Sequence, residues 1–270
     1  MSQIADPAYL RGEQYKTADN LNARVALHRR FSTNRQGWLR WAFEQLDLRP
    51  GQRVLEVGGG PGWLWRENQE RRPAGLTVIV SDFSPGMAQT ARAHLPEAGF
   101  RCAILDAQAL PFPAASFDLV IANHMLYHVP DLPGAARELA RVLKPAGRLA
   151  AGTNGRAHLR ELHELMHAYD PGYVLPADGV AERFALENAP AVLGAAFARV
   201  EVRPYEDALW ITEARPLVEY ILSYTGFQTG LSALTPARAA NLEAFVQARL
   251  AAQGGLRIGK ATGLVLAGQE

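Results

Sequence analysis

Glu56, Gly58, Gly60 and Gly62 occupy alternate positions of the stretch VLEVGGGPGWLW (54–65). An apolar run leads into an acid, and the glycines then let the backbone come close to whatever the loop holds. Several nucleotide chemistries share such a loop. The phosphate-cradling P-loop requires G-x-x-x-x-G-K followed by Ser or Thr, and no such run occurs. The dinucleotide fingerprint G-x-G-x-x-G fits Gly58 and Gly60 but puts Trp63 at its third glycine, where bulk blocks close helix–strand packing. Charge points the same way. A carboxylate two residues ahead of the loop would repel a pyrophosphate by on the order of several kcal/mol at low effective dielectric. The same carboxylate would attract a cationic ligand that carries no phosphate.

Further acids follow at corresponding places. LTVIVSD (76–82) ends in Asp82, with Phe83 beside it, and FRCAILD (100–106) ends in Asp106, followed by Ala107. FDLVIANHMLYHVPD (117–131) and LARVLKPAGRLAAGT (139–153) come next in order. With these motifs, residues from about 50 to 155 resemble the class I S-adenosylmethionine (SAM)-dependent methyltransferases. The resemblance implies SAM as cofactor. Glu56 would help to fix its cationic amino-acid end through the loop backbone or water, and Gly58, Gly60 and Gly62 would hug it. Asp82 would accept both ribose hydroxyls and Phe83 would lie against the adenine face. Asp106 and Ala107 would read the adenine edge, and Met87 and Asn123 join the cofactor set. His124, Tyr127 and His128 follow the fourth strand, where that fold seats a methyl acceptor. An imidazole, with an ordinary pKa near about 6.5, can take a proton from an acceptor hydroxyl or amine. Tyr15, Arg24, His28 and Asn34 lie ahead of the first strand and are the polar groups available to close over the methionine end of SAM.

A second chemistry is written in HELMH (163–167). On a helix, His163 and His167 share a face, and with Glu164 as base they would begin a zinc hydrolase site. The usual continuation fails: Asp170 stands where a glycine is needed, and Pro171, Gly172 and Tyr173 supply no third histidine. The helix is expected instead in a lid over the acceptor, with no metal. His163, His167, Tyr169 and Tyr224, with Tyr15 and His28, are then the expected pocket residues. Tyr173, Tyr205, Trp210 and Tyr220 are expected mainly in the core.

The elements that must position these groups alternate. Strands are expected at 53–57, 76–82, 100–106, 117–123 and 148–153. Helices are expected from 63, over 84–95 with Ser84 as cap and Pro85 first, and over 132–143. Near-continuous apolar strands separated by helices make a parallel sheet covered on both faces. Strands at 199–205 and 256–268, the second bent near Gly259, complete an α/β Rossmann-like sheet of seven mostly parallel strands. Other helices are expected at 158–169, 178–188, 213–223 and 235–252. N-terminal helices would be capped by Asp19 or Asn20 and by Ser32 or Thr33. The chain then divides into an N-terminal helical cap (1–50), a SAM-binding core (51–155), a helical lid insertion (156–195) and a C-terminal completion of the sheet with inserted helices (196–270).

The 270 residues carry 28 Lys plus Arg against 27 Asp plus Glu, a net charge of +1. That balance gives no electrostatic footprint for nucleic acid or an anionic membrane. The proline-rich signature of amino-methylating DNA enzymes is absent, and ANHMLY stands in its place. The single cysteine, Cys102, cannot form an internal disulfide, and no apolar run reaches 18 residues. The expectation is a soluble cytoplasmic enzyme methylating a small molecule. Its alternatives are a SAM-fold enzyme doing cyclisation or isomerisation, a SAM-binding module without catalysis, and the zinc hydrolase.

Overall fold

The computed structural model describes residues 5–14, 19–172, 182–223 and 236–269. Seven strands form one sheet: β1 Arg53–Glu56, β2 Thr77–Asp82, β3 Phe100–Ile104, β4 Phe117–Asn123, β5 Leu143–Asn154, β6 Arg199–Ile211 and β7 Leu256–Gly268. Their order is β3-β2-β1-β4-β5-β7-β6. The pairs among β1 to β5 are parallel, and β7 runs antiparallel to both β5 and β6. The sequence-predicted Rossmann-like sheet is therefore the observed one. Eight helices of five or more residues matter for the site: α1 Asp19–Phe31, α2 Trp38–Gln45, α3 Trp63–Glu67, α4 Pro85–His94, α5 Leu132–Val142, α6 Arg160–Tyr169, α7 Ala214–Leu222 and α8 Pro236–Gln253.

Local chemistry sets the boundaries. Ser84 accepts from the Met87 amide and Pro85 opens α4, as expected from the sequence. Asp131 accepts from the Gly134 amide at 2.9 Å and starts α5 in the same way. Two expectations need correction. Ser32 and Thr33 do not cap the second N-terminal helix, which begins after Gly37. Their hydroxyls turn instead to the Asp207 carboxylate, a buried partner on β6 that offers them more than a helix end would. Near Gly259 β7 contains no bulge or turn, because the β6 pairing runs unbroken from Leu256 to Gly268.

Both faces of the sheet are covered. Leu132, Ala136 and Leu139 of α5 pack on one face with Val120 and Leu149. Phe43 of α2, Trp65 of α3 and Ala91 of α4 pack on the other with Val54 and Val78. A third core lies beyond the sheet. Strand β5 pairs with only the second half of β7, from Thr262 to Gly268. The β6–β7 ribbon therefore overhangs, carrying 206–211 against 256–261 past the C-terminal end of β5. Leu209, Ile211 and Ile258 on that overhang are buried with Leu27, Leu162, Leu217 and Leu242 from α1, α6, α7 and α8. Among the described residues no helix is long and apolar enough to cross a membrane.

Candidate active site

The chain leaves β1 outward to β2 and β3 and then returns to β4 on the other side of β1. Open α/β sheets bind ligands at such a reversal, outside the carboxyl ends of the strands. A cavity of about 890 Å³ lies there. It runs from the strand ends of β1, β2 and β3 past β4 to the overhanging ribbon, and takes lining residues from each.

The glycine loop forms one wall through Gly58 and Gly60; Gly62, expected to hug the cofactor, does not line the cavity, because it sits at the start of α3 against Leu95. Gly58, Gly60 and Gly62 all have positive φ, at 63°, 55° and 79°. A Cβ on Gly58 would come within 2.6 Å of the Met125 side chain, so that glycine provides the close approach of loop to loop. Gly58→Ala is expected to cost about 1–3 kcal/mol through this overlap and the unfavourable φ, read as a lower Tm and weaker SAM binding.

Carboxylates gather at this end. Asp82 accepts from the Gly60 amide at 2.9 Å and the Ser84 amide at 2.8 Å, which ties the end of β2 to the loop. Burial pushes its pKa up, and those two amides oppose the shift. Glu56 is 1% exposed, and its carboxylate accepts from Trp65 Nε1–H at 2.6 Å. Burial raises its pKa to about 7, against the Trp65 bond and with a contribution from Asp82. Asp106 accepts from the backbone and side chain of Gln108. Glycines that a Cβ would fill and three strand-end carboxylates suit a cationic nucleoside, and the donor set of this structure fits SAM in that respect.

The other end is built from imidazoles and cations. His124 stands at φ 54°, a left-handed conformation rare outside glycine, and its ring lies 5.0 Å from that of Trp38. Burial and then Lys260 lower its pKa to about 4. His28, reaching in from α1, is pushed to about 3 by burial and Lys260. His158 is held well below its usual value by burial, His28 and Lys260. Its Nδ1 lies 3.0 Å from the Ala261 carbonyl, which can only accept, so the proton sits on Nδ1 and Nε2 keeps its lone pair.

The cavity brings together Glu56, Gly58, Gly60, Asp82, Phe83, Met87, Asp106, Ala107, Asn123, His124, Tyr127, His128 and His28, all from the sequence expectations. Phe83 carries the Arg11 guanidinium 4.9 Å over its ring, and Asn123 accepts from Trp38 Nε1–H at 3.3 Å. Three expected pocket residues on α6 lie elsewhere. His163, His167 and Tyr169 do not line the cavity; Tyr169 donates to the Arg238 carbonyl and packs on Phe245. The face of α6 that packs inward carries Leu162 and Met166, which leaves His167 exposed. Glu164 pairs with Arg160 at the surface. Among the described residues no group of three His, Cys, Asp or Glu could hold a metal ion, so the zinc reading finds no support. Tyr15, Tyr173 and Tyr224 lie outside the described residues.

Sequence reasoning missed His158, Lys260 and Trp38 in the cavity wall, and Trp65 as the partner of Glu56. The signal for Lys260 was present: a lone lysine inside an apolar β run needs a buried partner.

A family described as methyltransferase domain matches residues 55–151. A ubiquinone/menaquinone biosynthesis C-methyltransferase from Xanthomonas campestris is 37% identical over 117 residues, covering 42% of this chain and 46% of that protein. A malonyl-(acyl-carrier protein) O-methyltransferase from Halorhodospira halophila is 40% identical over 112 residues, covering 41% and 38%. The chain thus spans less than half the length of either relative. In fold it is similar to the 4+2 cyclase SpnF, with a TM-score of 0.52, 20% identity and coverage of 85% and 79%. Residues 55–151 thus match the methyltransferase-domain family, and the chain is similar to C- and O-methyltransferases over about two fifths of its length.

Proposed function

We propose that the chain transfers the methyl group of SAM to a small-molecule acceptor held in the same cavity. The observation that carries this reading is continuity: one cavity joins the acid-and-glycine end of β1 to β3 with the histidine end beyond β4. SAM supplies a methyl group on a sulfonium that is already a good leaving group, so the chain need not generate an electrophile. Glu56, Asp82 and Asp106 would hold the cationic nucleoside. Trp63, Met87 and Met125 would wall the space between donor and acceptor and keep water out. Holding two reactants in line can supply about 7–11 kcal/mol in favourable cases. A dry wall helps further because a cationic sulfur becomes neutral in the reaction.

His124 is the base that this reading assigns, since β4 lies next to β1 in the sheet. Its depressed pKa keeps the imidazole neutral throughout the neutral range, so a lone pair is free, though burial and Lys260 make it a weaker base than a solvated imidazole. His124→Ala is expected to lower turnover by about 10²-fold or more if the acceptor arrives protonated. SAM affinity should stay within about twofold. Equal turnover in the variant would remove His124 from the reaction.

The direct test is methyl incorporation from labelled SAM into small molecules that co-purify with the protein, identified by mass. The likeness in fold to a cyclase keeps a second reading in view, a SAM-fold enzyme of other chemistry. Binding of SAM with conversion of a co-purified compound and no label transfer would favour it.

A further inference from the structure

The cavity has two electrostatic ends. Across the sheet order, Asp106, Asp82 and Glu56 sit at the ends of β3, β2 and β1, while the wall formed by β7 and α1 presents Lys260, Arg24 and His28. From β1 to β7 there are three strand spacings, on the order of 14 Å. Among the described residues the carboxylates that line the cavity are Glu56, Glu67, Asp82 and Asp106; Asp207, the partner of Lys260, is fully buried and is not among them.

Lys260 is the centre of this end. Its side chain is 6% exposed, and it is the register partner of Asp207 across the β6–β7 ribbon. Its Nζ donates to Asp207 Oδ2 at 2.5 Å. An ammonium has three N–H donors, so two are left to point at other acceptors, and Lys260 lines the cavity. Beside it, His28 Nδ1 is buried with no hydrogen-bond partner among the described residues. Buried polar atoms are normally satisfied, and an unsatisfied one on a residue that lines the cavity leaves room for a partner from a ligand. Asp207 balances the charge that makes Lys260 tolerable without using up its donors.

We propose that this inner end is an anion subsite, in which Lys260 and His28 hold an oxyanion head group, a carboxylate or a phosphate, at the end of the methyl acceptor remote from the reacting atom. The subsite rests on the methyltransferase reading for its role, and it selects acidic small molecules over neutral ones of the same shape. An acceptor spanning from β7 to β4 would present its nucleophile beside His124.

The test is calorimetry on the full chain saturated with S-adenosylhomocysteine, titrated with benzoate, its neutral isostere benzamide, and inorganic phosphate. Benzoate or phosphate is expected to bind at least tenfold more tightly than benzamide, and the tighter of the two anions identifies the head group. Because Lys260→Met alone would strand a buried carboxylate, the variant to use is Lys260→Met with Asp207→Asn, which keeps the ribbon neutral. It should lose at least tenfold in anion affinity while binding S-adenosylhomocysteine as the unsubstituted protein does. His28→Phe should give a similar loss. Neither anion binding more tightly than benzamide, or unchanged affinity for the tighter anion in the double variant, would overturn the subsite. Failure to bind S-adenosylhomocysteine at all would instead overturn the methyltransferase reading.

Discussion

Glu56→Gln is expected to raise the Tm of the ligand-free protein by several degrees while weakening SAM binding at least tenfold at pH 8. Both effects come from one buried carboxylate. Glu56 ionises near about 4.5 when unfolded and near 7 when folded, because burial disfavours its charge. Between those values the folded chain keeps a proton that the unfolded chain has released. Stability from this group is therefore complete below about pH 4.5, declines as pH rises to about 7, and stays reduced above that. A shift of that size corresponds to about 3 kcal/mol at pH 8. Glutamine has the same shape, its carbonyl oxygen can accept from Trp65 Nε1–H, and it carries no charge to desolvate. A protein that retains such a cost has a use for the charge, and under the proposed function the sulfonium and ammonium of SAM would supply one. SAM binding by the unsubstituted protein should accordingly release a proton, and affinity should fall as pH drops below about 7. Calorimetry in buffers of differing ionisation enthalpy reads both. The Gln variant should show neither proton release nor that pH dependence. A variant with unchanged Tm and unchanged SAM affinity would mean that the charge does nothing.

The cofactor end was legible because its chemistry is local in sequence. An acid, a glycine run and two later strand-end acids lie at the termini of apolar runs, and strand-end position alone puts Glu56, Asp82 and Asp106 side by side in a parallel sheet. Ser84 and Pro85 fixed the start of α4 for the same reason. The histidine end was legible only in part: His28, His124, Tyr127 and His128 were expected at the pocket, but His158 and Lys260 were not, because that end is assembled from distant pieces. His28, His158 and Lys260 are separated by more than a hundred residues at each step, and they meet only because β7 overhangs β5 and lets α1 and α6 pack on the ribbon. HELMH misled for a related reason. Spacing puts His163 and His167 on one face, but which face α6 buries is decided by the ribbon beneath it, and Leu162 and Met166 win that contest through their apolar area. Ser32 and Thr33 read as helix caps because nothing within reach in sequence announces Asp207.

Asp207→Asn should destabilise the fold by about 3–5 kcal/mol, and Lys260→Met in the same chain should restore at least half of that. The Asp207 side chain is fully buried and accepts from Ser32 Oγ at 2.5 Å, the Asn34 amide at 2.9 Å and Lys260 Nζ at 2.5 Å. Although burial pushes its pKa up, the bonds to Lys260, Ser32 and Asn34 outweigh that and hold it below the usual carboxylate value. Asparagine can still accept from the Asn34 amide at Oδ1 and can donate an Nδ2–H to Ser32 Oγ, so the tether between β6 and the turn from α1 to α2 survives. What is lost is the countercharge, and a buried ammonium left without one carries the cost quoted above. For a chain of this size the expected fall in Tm is on the order of 6–20 °C. The double variant removes the stranded charge and separates this cost from simple loss of packing. Acid titration adds an independent check. Asp207, with its lowered pKa, contributes stability above about pH 4 that is lost only as pH falls through its folded value. His28, His124 and His158, held neutral in the fold, contribute stability above about pH 6.5 that is lost as pH falls toward their folded values. The decline of Tm between pH 6.5 and about 5 should therefore persist in the Asp207→Asn, Lys260→Met chain and weaken when His28 is replaced by Phe. If the double variant melts as low as the single one, the ribbon depends on the ion pair itself rather than on its neutrality.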